Sequence, residues 1–183
     1  MTETTIRRVG PGDGPLLQAV RLRALECDPT SFGSTHEREA AFGPEVWEEW
    51  AHEHATGETA ATLLGLRESE PVGMVLGRRD DDEPGLFHVY AMWVAPDSRG
   101  EGIGGSLLAE VEAWMASCGA VVSQLSVTSE AAAAQRLYES AGYAPDGEVE
   151  ESRHTPGVLH VSLRKRLTSS SKGEATSHEA ASL

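Results

Sequence analysis

The residues best placed by type and spacing to do chemistry are Arg99-Gly100-Glu101-Gly102-Ile103-Gly104-Gly105, which follow the strand-like run ending in Val94-Ala95-Pro96 and precede a helical one. Glycines at a strand-to-helix turn let the backbone approach a ligand closely and adopt torsions that other residues avoid. The first amides of a helix have no partner within it, and the helix dipole places positive charge at the same end, so the turn is an anion site. Arg99 adds a permanent cation. A pyrophosphate is the natural guest. Two phosphate loops do not fit. A P-loop closes on Gly-Lys-Ser/Thr, which is absent. A dinucleotide fingerprint needs Gly-x-Gly-x-x-Gly directly after a strand, whereas Gly100, Gly102 and Gly104 are spaced by two and no acidic residue is evident at a second strand end. The pattern that is met is Arg/Gln-x-x-Gly-x-Gly/Ala, by Arg99, Gly102 and Gly104.

The elements that must carry this turn are legible from periodicity. Residues 5–9 alternate as a strand, and the glycine- and proline-rich residues 10–15 break it. Leu16, Leu17, Val20, Leu22 and Leu25 then recur at helical spacing, with Asp13 as a cap and Asp28-Pro29 as a stop. Residues 32–41 are polar and leave helix or loop open. Pro44 suits the first turn of a second helix carrying Val46, Trp47 and Trp50, ending near Gly57. Residues 59–66 and 72–79 read as strands joined by a turn, and Asp80-Asp81-Asp82-Glu83-Pro84-Gly85 as an acidic hairpin loop, a like-charge run of a kind that is usually solvated. Residues 86–94 read as the longest strand candidate. A helix with Leu107, Leu108, Val111, Trp114 and Met115 on one face follows the glycine turn and stops at Gly119. A buried strand at 121–127, a helix at 131–141 and extended segments from Tyr143 and at 160–167 complete the order. Three strands joined by short turns imply antiparallel pairing, and the later strand–helix–strand implies a parallel pair.

In this setting the turn resembles the cofactor motif of the GNAT acyltransferase superfamily. Ala91-Met92-Trp93-Val94-Ala95-Pro96 precedes it as a strand and proline turn do in that family. Ala134-Gln135-Arg136-Leu137-Tyr138-Glu139-Ser140-Ala141-Gly142-Tyr143 is similar to the family's second signature, Ala-x-x-Leu-Tyr-x-x-x-Gly-Phe/Tyr. The resemblance runs from Ile6 to Leu167, and Arg21-Leu22-Arg23-Ala24-Leu25 with Ser31-Phe32-Gly33-Ser34-Thr35 look like one branch of bacterial members. It implies an α/β (α+β) fold with a mixed central sheet of six or seven strands and about four helices. It also implies acetyl-CoA as co-substrate, no metal, and direct transfer within a ternary complex. Met92, Trp93 and Val94 would pair with the pantetheine arm as an added strand does. Arg99, Gly100, Glu101, Gly102, Ile103, Gly104 and Gly105 would hold the pyrophosphate, and Tyr138 would protonate the departing thiolate. The family often has Asn seven residues before that tyrosine; Ala131 stands there, so a hydrogen bond to CoA is missing or comes from Thr128 or Ser129.

An acceptor amine is mostly protonated near neutrality, so some group must take up a proton. Related sequences often carry a glutamate on the central strand; by that alignment His88 takes its place, and histidine suits base work near neutral pH. Simple packing of His88 is the competing reading. Period-two alternation puts His88, Tyr90 and Met92 on one face. A backbone amide near Met92 or Trp93 could meet the thioester oxygen. Phe32, His36, Glu37 and Trp47, with Tyr90, come from the region that borders the acceptor pocket in the family. His52-Glu53-His54 looks like a metal cluster, but residues two apart on a helix diverge. Cys118, beside Gly119, reads as a small core residue.

At 183 residues the chain fits one domain, 1–167, followed by a Ser-, Thr- and Ala-rich tail, 168–183, expected to be disordered. A formal net charge of -14 argues against nonspecific nucleic-acid binding, and suits either solubility or a cationic substrate. No apolar run spans a membrane, no signal peptide is visible, and two distant cysteines, Cys27 and Cys118, fit reduced thiols in a cytoplasm. Three functions follow from the resemblance: an N-acetyltransferase acting on a small-molecule primary amine, a protein N-terminal or lysine acetyltransferase, and an acyl-CoA-binding sensor. A homodimer fits the family's habit, though no interface signature is visible.

Overall fold

The computed structural model describes residues 3–152 and 155–168. Its element order is β1 (Thr4–Arg8), α1 (Gly14–Cys27), α2 (His36–Ala40), α3 (Pro44–Ala55), β2 (Ala60–Arg67), β3 (Glu70–Arg79), β4 (Leu86–Val94), α4 (Ile103–Ser117), β5 (Val122–Thr128), α5 (Ala132–Ser140), β6 (Ala144–Glu151) and β7 (Leu159–Arg166). The seven strands form one mixed sheet in the order β1-β2-β3-β4-β5-β7-β6. The three consecutive strands β2, β3 and β4 are antiparallel, and β4 pairs with β5 in parallel. Both pairings are those that the loop lengths dictate. The expected tail, 168–183, lies outside the described residues except for Thr168.

Helices cover both faces, which is why β2 is buried along nearly its whole length. On one face α1 turns Leu17, Val20, Ala24 and Leu25 inward, and α3 turns Trp47 and Ala51. On the other, α4 buries Ile103, Leu107, Leu108, Val111 and Met115. Burial of a leucine-sized side chain stabilises by roughly 1.5–3 kcal/mol, so these five residues fix α4 firmly on the sheet. The approach is close because β3 carries glycine where α4 crosses it. A Cβ on Gly77 would stand 2.7 Å from Val111 Cγ2 and 2.8 Å from Trp114 Cζ3, inside contact distance.

Two local expectations change. The ambiguous residues 32–41 contain the short helix α2, capped by Thr35, whose Oγ1 accepts from the Arg38 amide at 3.3 Å. Asp13 stands at the start of α1 but makes no side-chain cap; its carboxylate takes Arg7 at 2.5 Å and the Gly10 amide at 2.7 Å instead. A guanidinium is a stronger partner than a helix amide, and it wins the carboxylate.

Candidate active site

The site begins where β4 and β5 part. Their registered pairs run only from Leu86–Val122 to Val89–Leu125, although β4 continues to Val94 and β5 to Thr128. On its other side, β4 jumps register against β3 from Leu76–Tyr90 to Met74–Trp93, so Val75 stands opposite two residues. The bulge is at Ala91, a non-glycine residue with φ of 50°. A bulge shifts every later side chain to the opposite face. The alternation that groups His88, Tyr90 and Met92 therefore holds for the first two and fails at Met92. Met92 Cε and Val94 Cγ2 both approach Gly104 at the start of α4, within 4 Å of where its Cβ would stand. Trp93 faces α1, donating its Nε1 hydrogen to Asp28 at 2.7 Å. The bulge leaves the backbone of Ala91 and Met92 outside both ladders, where another extended chain could pair with it.

The glycine turn lies beside this opening. Gly100 and Gly102 have φ of 81° and 84°, a region that disfavours any side chain, and nothing lies within 4 Å of a Cβ built on either. The backbone is thus open to close approach from outside. The amides of Ile103, Gly104 and Gly105 open α4, and the first helical bond is Ser106 N–H to Gly102 O at 3.1 Å. Those three donors and the helix dipole fit a pyrophosphate. Arg99 is tied back: its Nε donates to Val94 O at 2.9 Å and its guanidinium pairs with Asp28 at 2.5 Å. Glu101 pairs with Arg67. Both charged side chains of the motif therefore brace the turn.

A cleft of about 980 Å³ runs from this opening between α3 on one side and the β6–β7 hairpin on the other. Tyr138 and His88 both line it. Tyr138, on α5, is buried, edge-on to Tyr143 at 5.9 Å, and burial pushes its phenol up to about 12, so it stays protonated. His88 lies on the face away from α4, since its neighbour Phe87 packs on Trp114 at 5.7 Å. His88 Nε2 is 2.8 Å from Asp80 Oδ2, and its ring stacks on Tyr90 at 5.6 Å. Ala131 and Thr128 also line the cleft, while Gln135 Nε2 holds the carbonyls of Thr128 and Ser129 at 3.1 and 3.0 Å.

Of the acceptor-side residues, Phe32, Trp47 and the half-exposed Tyr90 line the cleft. His36 and Glu37 do not; they sit on the exposed side of the five-residue α2. The same helix sends Glu39 inward, where Arg21 binds both its oxygens at 2.8 and 2.7 Å and stacks over Phe32 at 4.9 Å. Helical periodicity explains Glu37, since residues two apart on a helix diverge, but not His36, which is three residues from Glu39. His52 is exposed, whereas His54 Nδ1 lies 2.9 Å from Thr62 Oγ1 and burial lowers its proton affinity. Among the described residues no three His, Cys, Asp or Glu side chains are placed to hold a metal ion.

Sequence reasoning missed Asp28, Asp80 and the carboxylates of β6, and it did not single out Glu39 from the other acidic residues between 37 and 53. Asp80 sits in the acidic run read as solvated, yet its Oδ1 accepts from the amides of Asp82 and Glu83 at 2.9 and 2.7 Å and its Oδ2 faces His88. An aspartate that opens a tight turn is the available signal. Glu148 and Glu150 alternate toward the cleft from β6.

The profile of the Acetyltransferase (GNAT) family matches residues 19–143, more than half of the chain. The chain belongs to the GNAT acetyltransferase family. It is an acetyl-CoA-dependent acyltransferase, and the seven-stranded mixed sheet is the fold of its structural neighbours. A GNAT-family acetyltransferase from Streptococcus pneumoniae superimposes with a TM-score of 0.76 at 21% identity, over 91% of this chain and 100% of that one. A ribosomal-protein-alanine N-acetyltransferase from Brucella melitensis gives 0.73 at 22%, over 89% and 99%. YncA from Salmonella typhimurium, solved with its cofactor acetyl-CoA, gives 0.71 at 18%, over 95% and 99%. No curated protein matches the sequence. No helix among the described residues of this GNAT acetyltransferase is long and apolar enough to cross a membrane.

Proposed function

We propose that the protein acetylates a primary amine of a small, cationic acceptor by direct transfer from acetyl-CoA. The observation that carries this reading is that one cleft joins the parted strands β4 and β5, Tyr138 and His88 to an acidic far end. The backbone of Met92, Trp93 and Val94 pairs with the pantetheine arm. The turn from Arg99 to Gly105 receives the pyrophosphate on the amides of Ile103, Gly104 and Gly105, with Gly100 and Gly102 leaving it room and Arg99 and Glu101 bracing it.

Phe32, Trp47 and Tyr90 shape the acceptor side, where Glu53, Glu148 and Glu150 attract a cation. His88 takes the proton that the ammonium must lose before its nitrogen can attack the thioester carbonyl. The new C–N bond replaces the C–S bond, Tyr138 passes its proton to the departing sulfur, and the second proton that the nitrogen sheds as the amide forms restores the Tyr138 phenol. An acid held protonated by burial and an imidazole open to the cleft divide the proton transfers between them.

The test is thiol release from acetyl-CoA with spermidine, lysine, kanamycin and an alanyl tripeptide. Release with the cationic small molecules supports the reading. Release with the tripeptide alone replaces it by protein acetylation, and no release despite acetyl-CoA binding overturns it.

A further inference from the structure

Asp80 has no part in the transfer just described, yet its contacts are those of a group that aims another. It is the last residue before the β3–β4 turn, only partly exposed, and every oxygen is used. Oδ1 is fixed by the two turn amides of Asp82 and Glu83, which leaves Oδ2 pointed across the hairpin at His88 Nε2, 2.8 Å away. The register places His88 opposite Arg78 on β3 and beside Gln124 on β5. Tyr90 covers one face of its ring. Imidazole orientation is therefore restrained both along the Nε2 direction and normal to the ring.

We infer that Asp80 is a positioning residue for His88, accepting the Nε2 hydrogen so that the imidazole is held as the tautomer whose free lone pair is on Nδ1. A neutral imidazole has one donor and one acceptor nitrogen, and the partner of one decides the state of the other. With Nε2–H committed to a carboxylate, Nδ1 is the one atom of the ring left to accept a proton from an ammonium. The arrangement also assigns a purpose to the acidic hairpin. Asp81 and Asp82 stay at the surface, and Asp80 alone is turned back, by a turn that its own side chain closes.

This inference rests on His88 being the proton acceptor. The other charged or titratable groups lining the cleft are Arg21 on α1, Glu39 on α2, Glu53 and His54 on α3, Arg78 on β3, Tyr90 on β4, Tyr138 on α5, Glu148, Glu150 and Glu151 on β6, and His160 on β7. Arg78 has Asp81 at 3.9 Å as a weak, exposed partner, so it does not replace Asp80. None of the others has a hydrogen bond to the imidazole.

The experiment has two arms. Nitrogen-15 NMR of the wild-type protein, with His88→Gln to assign the signal, reads the tautomer directly and needs no acceptor. The expected result is a neutral imidazole protonated on Nε2, and protonation on Nδ1 overturns the inference. Thiol release over the same amine panel is then compared for wild type, Asp80→Asn and His88→Gln. Asparagine keeps an oxygen for the turn amides, so the hairpin is retained, and acetyl-CoA binding checks the fold. The expected result for Asp80→Asn is a fall in kcat of at least tenfold with KM for acceptor and acetyl-CoA unchanged. Asp80→Glu should recover part of the rate. A loss with His88→Gln but none with Asp80→Asn overturns the positioning role alone. Unchanged turnover in His88→Gln overturns the proton-acceptor reading and Asp80's role with it.

Discussion

The two ends of the cleft are built in opposite ways. The cofactor end comes from two short stretches of chain, residues 89–105 and 131–138, whose backbone supplies most of the proposed contacts. The proposed acceptor end is assembled from side chains on five separate elements: Arg21 on α1, Glu39 on α2, Trp47 on α3, Tyr90 on β4 and Glu148 and Glu150 on β6. Backbone amides at a helix start can be placed only by local sequence, so glycine spacing announces them. Side chains that converge from distant elements leave no such spacing, and the same difference should govern how each end responds to mutation.

The largest effect expected is on chemistry at the point where the ends meet. Tyr138→Phe should lower kcat by about 10²–10⁴-fold, the usual span for a lost general acid, while acetyl-CoA affinity measured by calorimetry stays the same. On the acceptor end, Arg21→Ala should act through stability. It strands the Glu39 carboxylate, whose side chain is 5% exposed, and breaking such a buried pair costs about 3–5 kcal/mol, readable in a urea melt. If the melt is unchanged, the acceptor end does not depend on converging side chains as described.

Smaller effects sharpen the contrast. Gly102→Ala places a Cβ at φ of 84°, a cost of about 1–2 kcal/mol, and should weaken acetyl-CoA binding by roughly tenfold without touching the acceptor KM. Glu148→Gln combined with Glu150→Gln should do the reverse, raising KM for a cationic acceptor a few-fold at low salt and less at high salt, since exposed charges are screened. The smallest effect concerns Asp80. The hydrogen bond from His88 and two backbone amides lower its carboxyl from 3.8 to about 2. A depressed carboxyl stabilises the fold fully above its unfolded value and loses that contribution as pH falls through the folded one. Acid denaturation curves of wild type and Asp80→Asn should therefore converge between about pH 4 and pH 2.

Sequence reading succeeds where one interaction range dominates. The strand and helix order follows from periodicity and turn residues, and the pairing senses of β2–β3–β4 and β4–β5 follow from connection length. The same reading fails at Ala91, because a bulge is set by how β3 and β4 fit together and not by any residue type, and the face of Met92 is lost with it. It fails again at α2, where residues 36, 37 and 39 look equally polar and only tertiary contact with Arg21 selects Glu39. Asp80 and Asp28 were hidden for a related reason. In a run of acidic residues, or at a helix end, composition says nothing about which carboxylate is turned toward a buried partner.

The short ladder between β4 and β5 has a mechanical meaning. Four registered pairs join a leaf made of β1 to β4 to a leaf made of β5, β7 and β6, so the sheet is a hinge with a narrow spine. A pantetheine arm hydrogen-bonded along the free part of β4 would act as a clasp across that spine. Occupancy then becomes a structural variable. At acetyl-CoA a hundredfold above its dissociation constant the folded state gains about 2.7 kcal/mol. Amide exchange should slow most along the parting edges of the two leaves, so the second substrate would meet a stiffer protein than the first.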